Sequence, residues 1–142
     1  MKREHHDLYN HEQHGPGSYT DSVRVGSTIY LGGQCGYDPR TMKPVSNDFE
    51  AQAVQTMKNI EAILGSYAVD CNAIVSMTIY FADCKYFDAW RKVRQRFMTS
   101  SAVAATGYVC RIIWPEFLFE VTAIAYIDSA PTRLAMPIGA AS

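Results

Sequence analysis

The stretch at residues 118–127, LFEVTAIAYI, constrains the fold more than any other part of the chain. If it is a strand, its side chains alternate: Phe119, Val121, Ala123, Ala125 and Ile127 share one face, and Leu118, Glu120, Thr122, Ile124 and Tyr126 share the other. Both faces are substantially apolar. Helices from the same chain can cover one of them. The chain has too few helices to cover the second, so an oligomer that buries it is expected. Glu120 stands inside this apolar run, where burying a carboxylate costs several kcal/mol unless it is paired or protonated.

The rest of the sequence supplies partners for such a strand. SYTDSVRVG and STIYLGGQCG, joined at Gly26-Ser27, form a hairpin with a two-residue connection. Asn47 and Glu50 stand in capping-box spacing, followed by apolar residues at Phe49, Ala53, Met57, Ile60 and Leu64. That is one face of an amphipathic helix, stopped by Gly65. Residues 73–82, AIVSMTIYFA, are β-branched and aromatic at strand length. Residues 86–98 return to helical spacing at Tyr86, Trp90, Val93 and Phe97, and residues 104–113 give a further strand. The order β-β-α-β-α-β-β predicts an α+β sandwich of two layers, both helices on one face of a mixed sheet.

A chain of 142 residues is one domain, here divided into a polar lead-in (1–18), a folded core (19–128) and a loosely held tail (129–142). Thirteen basic against fourteen acidic side chains give no long-range attraction to nucleic acid or an anionic membrane. No apolar stretch reaches the ~18–20 residues of a membrane span, and the lead-in has no apolar segment of a secretory signal. Cys35, Cys71, Cys84 and Cys110 contain no CxxC pair, so free thiols in a cytoplasmic protein are expected. All four histidines, His5, His6, His11 and His14, lie in the lead-in without a nearby cysteine. A solvated segment accounts for them better than a metal site.

Three motifs carry a resemblance. SYTDSVRVGSTIYLGGQCG resembles the opening hairpin of the RidA (YjgF) family of reactive-intermediate imine deaminases. FEAQAVQTMKNIEAILGSYAVDCNAIVSMTIYFAD is similar to that family's first helix and third strand, including its Ala-Gln and Asn-Ile pairs, and LFEVTAIAYI resembles its last strand. Their order and spacing, across residues 19–127, are more specific than any one of them. The resemblance implies a chorismate-mutase-like α+β sandwich assembled as a homotrimer, with clefts between subunits. It implies hydrolysis of enamines and imines to ketones and ammonia, without metal or organic cofactor. The family's older endoribonuclease label gains nothing from the neutral charge of this chain.

By the same resemblance Glu120 is the pocket glutamate that positions water or relays a proton, Tyr19 a pocket tyrosine from the adjacent subunit, and Gly33 a backbone contact to substrate. Phe87 fits the aromatic wall. Each also has a plain structural reading: a satisfied interface carboxylate, a packed aromatic, a strand-end glycine, a core phenylalanine. One family feature is missing. Fifteen positions before Glu120, where family members that act on amino-acid-derived imines carry an arginine gripping the substrate carboxylate, stands Ala105, with Gly107 close by. Arg111, six residues further on, is ~20 Å away along an extended strand. Arg91, four residues after Phe87 on the same helix side, is the candidate replacement, against a solvated charge in the Arg91–Arg96 cluster. Without it, the substrate lacks a small carboxylate, and Ala105 with Gly107 enlarges the cleft. Cys35 at a strand end is a candidate nucleophile, although a buried small hydrophobe is the commoner role. The expected function is therefore hydrolytic deamination of a small imine or enamine in a specialised catabolic or biosynthetic pathway. An isomerase, cyclase or tautomerase on the same scaffold, or a ligand-binding trimer without turnover, are the alternatives.

Overall fold

The computed structural model describes residues 1–7 and 19–128. Six strands form one sheet in the order β1-β2-β3-β6-β4-β5: β1 (Glu4–His6), β2 (Ser22–Val25), β3 (Thr28–Cys35), β4 (Ile74–Phe81), β5 (Ala104–Val109) and β6 (Phe119–Tyr126). All neighbours are antiparallel except β4 and β5. Two helices, α1 (Phe49–Gly65) and α2 (Phe87–Phe97), cover one face. The α+β sandwich predicted from the pattern is the fold observed, with one further strand. Among the described residues no helix is long and apolar enough to cross a membrane.

The apolar stripe of α1 is buried at all five predicted positions, against Phe119, Val121, Ala123 and Ala125 of β6. Trp90 and Val93 seat α2, and the Trp90 ring lies 4.9 Å from that of Phe119. Arg96 ties α2 to the first turn of α1 through Glu50 at 2.6 Å. The β2–β3 turn has Gly26 at φ 59°, the left-handed first position that a two-residue hairpin of this type demands.

Three local expectations change. Asp48, not Asn47, caps α1, its carboxylate accepting from the Ala51 amide at 2.9 Å. Gly65 is the last helical residue rather than the stop, and the chain turns at Ala68, with φ 59°. Part of the lead-in is structured: β1 pairs with β2, and His6 stacks on Tyr67 at 4.1 Å and hydrogen-bonds the Ser66 hydroxyl at 2.8 Å. His11, His14 and the tail lie outside the described residues. Among those described, no cluster of His, Cys, Asp and Glu can hold a metal ion.

Candidate functional site

An irregularity in β3 creates the site. Pairing with β6 runs from Leu31–Ala123 to Gln34–Val121, so β3 carries one residue more than its partner across Gly32-Gly33. Such a bulge bends the strand and re-aims neighbouring groups. Here it brings the Gly33 backbone under the Glu120 carboxyl. A Cβ at Gly33 would sit 3.1 Å from the carboxyl carbon and collide with Oε1, so only glycine leaves the carboxyl where it is. On the other side the Gly32 amide donates to the Asp21 carbonyl at 2.9 Å, drawing residues 19–21 alongside. Asp7 fixes that segment, accepting from the Thr20 hydroxyl and, at 3.0 Å, from the Asp21 amide.

The result is a cleft of about 520 Å³. Tyr19, Asp21, Gly33 and Cys35 line one side, and Ile113, Trp114, Glu116 and Phe117 another; Glu120 also opens into it. Burial raises the Glu120 carboxyl above the ordinary glutamate value, and a hydrogen bond from the Cys35 thiol offsets part of that rise. Cys35 is only 8% exposed. Burial, and then the Glu120 charge and hydrogen bond, push its thiol far above the usual range. That is the opposite of an activated nucleophile; burial and the hydrogen bond to Glu120 favour the other sequence reading of Cys35, a buried packing residue. The Tyr19 phenol is raised by burial first, then by Asp21, Cys35 and Glu120, so it too keeps its proton.

Of the residues singled out in the sequence, Tyr19, Gly33, Cys35 and Glu120 therefore meet in one cleft. Tyr19 does so within its own chain, where an adjacent subunit was expected to supply it. The other four stand outside this cleft. Phe87 is exposed, edge-on to Phe81 at 6.1 Å. Arg91 is 65% exposed and faces Asp88 at 3.9 Å. Ala105 and Gly107 pair with Met77 and Ile79, whose β6 partners are the buried Ala123 and Val121. They thus lie on the sheet face opposite Glu120, which shares its row with Tyr80 and Tyr108. Sequence reasoning missed Asp7, Asp21 and the 113–117 wall, whose places depend on contacts distant in the chain.

Gly33→Ala tests the geometry directly. The obstructing atom is the end of a flexible side chain, so stability falls by only about 1 kcal/mol. The Glu120 titration midpoint, followed by carboxyl NMR, moves because the carboxylate leaves Cys35. An unchanged midpoint would show that the group does not rest on Gly33.

Comparison with known proteins places the chain in a family. Residues 11–127 match the family described as Endoribonuclease L-PSP. Protein DfrA of Myxococcus xanthus is 34% identical over 111 residues, covering 78% of this chain and 85% of that protein. The human 2-iminobutanoate/2-iminopropanoate deaminase is 29% identical over 109 residues, covering 77% and 80%. The crystal structure of RidA from an Antarctic Psychrobacter superposes with a TM-score of 0.73 at 29% identity, covering 80% of this chain and 91% of that one. With the bulged β3, the glutamate on the last strand and a match running through both, the chain belongs to the Endoribonuclease L-PSP family, the RidA (YjgF) proteins.

Proposed function

We propose that the protein hydrolyses a small imine or enamine to a carbonyl compound and ammonia, with Glu120 as the general acid–base group. The observation that carries this reading is the Glu120 carboxyl held over a bare glycine backbone inside a cleft, with its affinity for protons raised by burial. An ionised Glu120 takes a proton from water as the water oxygen bonds to the C=N carbon. With the imine nitrogen protonated at the outset this gives a neutral carbinolamine. The carboxyl returns its proton to the amino nitrogen, and the ionised Glu120 then takes the hydroxyl proton as the carbonyl forms, the C–N bond breaks and ammonia leaves. Tyr19 and Cys35 donate hydrogen bonds and stay neutral throughout. The imine deaminases among the relatives support the reaction class.

The working unit in this proposal is a homotrimer. On the sheet face away from the helices Tyr30 and Tyr126 are half exposed, and β5 is open to solvent along its whole length, Tyr108 being 54% exposed. A monomer gains nothing from such a surface. Four unpaired cysteines support a reducing, cytoplasmic setting, and the lack of any arginine along β5 supports a role in a specialised pathway. The test is ammonia release from imines generated in situ by an amine or amino-acid oxidase. Release above the uncatalysed rate supports hydrolysis. A shifted tautomer ratio without ammonia assigns the same carboxyl to isomerisation, and neither effect leaves a binding protein.

A further inference from the structure

We infer that the substrate is a cationic or neutral aromatic imine without a carboxylate, such as the product of amine oxidation, rather than an imino acid; this rests on the function proposed above. The charged side chains lining the cleft are Asp21, Glu116 and Glu120, and among its described lining residues there is no lysine, arginine or histidine. Bringing a substrate carboxylate into this enclosure sets like charges side by side with no donor fork to receive it. A protonated imine meets the reverse situation. Its charge is attracted by the carboxylates and by the faces of Tyr19 and Trp114, both about half exposed at the cleft.

Size points the same way. A cavity of ~150 Å³ holds a benzene ring, and this cleft offers about 520 Å³. A ring with a side chain fits, whereas a short imino acid leaves most of the space to water. Of the positions that the sequence offered for such a cation, none supplies one to the cleft of its own chain. Ala105 and Gly107 carry none and lie on the other sheet face. Arg91 is outside the cleft of its own chain, against Asp88. A guanidinium entering from a neighbouring copy would reverse the expected preference, so the measurement also decides the fate of Arg91.

The experiment is calorimetric binding of three unreactive phenylethyl probes to the full-length protein: phenethylamine, 3-phenylpropanamide and 3-phenylpropionate. The amine is expected to bind at least ~10-fold more tightly than the acid, the amide falling between, with Glu116→Gln narrowing the gap. Equal or tighter binding of the acid, or no binding by any probe, overturns the inference. Turnover is read separately, by comparing imines made from phenethylamine and from phenylalanine. If the probes keep the expected order but neither imine releases ammonia, the hydrolytic function fails while the ligand class stands. If the phenylalanine-derived imine is the better substrate, hydrolysis stands and the ligand class fails.

Discussion

Glu120→Gln lowers kcat/KM for imine hydrolysis by about 10²- to 10⁴-fold, the range that a positioned acid–base group contributes. The amide keeps the shape of the side chain and can still accept a hydrogen bond from Cys35, but it cannot take a proton from water. In the wild type the acid limb of the pH–rate profile lies above the ordinary glutamate value of 4.5, because burial raises the carboxyl. In the variant that limb disappears. A second readout comes from stability. With its folded-state value raised, Glu120 stabilises the fold fully below the unfolded value of 4.5, and that contribution is lost as pH rises through the folded value. The glutamine variant has no such loss, so relative to wild type it gains stability on going from pH 4 to neutral. Thermal melts of both proteins across that range check the sign. Unchanged turnover would remove Glu120 from the reaction, and a stability difference independent of pH would show that its carboxyl is not raised in the fold.

Sites that contribute to function are often held at some expense to the fold, and this opposition explains why the sequence signalled Glu120 so clearly. A carboxylate in an apolar strand violates the pattern of its surroundings, and a violation is visible without coordinates. The elements were legible for the converse reason. The stripe Phe49, Ala53, Met57, Ile60 and Leu64 obeys its period, and every member is buried. What stayed hidden depends on distant contacts. Glu4–His6 has no strand signal of its own; it becomes a strand through β2 and through Tyr67, some sixty residues away. Strand β5 stops at Val109 rather than Ile113 because Phe81 is the last residue of its partner β4; the Cys110 amide takes the Phe81 carbonyl, and the ladder has no further rung. The chain is thereby released to fold residues 113–117 into a cleft wall. Gly33 reads in the sequence as a backbone contact to substrate or a strand-end glycine, yet which side chain lies over it is set by the register with β6.

The wall itself hangs on one buried amide, and Gln52→Leu is expected to cost about 3 kcal/mol of stability, a large fraction of the ~5–15 kcal/mol available to a domain. Gln52 is 0% exposed in the first turn of α1. Its Nε2 donates to the carbonyls of Ser46 at 2.8 Å and Glu116 at 3.1 Å, and its Oε1 accepts from the Leu118 amide at 2.8 Å. Leucine fills a similar volume and leaves all three backbone groups without that partner. At roughly 3–4 °C per kcal/mol for a domain of this size, Tm falls by about 10 °C. Gln52→Glu is the informative companion, because it retains the acceptor for Leu118 and loses only the two donated bonds. Its burial adds a carboxylate beside two carbonyls, so its deficit narrows as pH falls and the acid regains a proton to donate. Because Glu116 and Phe117 line the cleft, both variants are also expected to raise KM for the imine several-fold at temperatures where they remain folded. A leucine variant with native Tm and native KM would mean that the 113–117 segment is positioned by something other than α1.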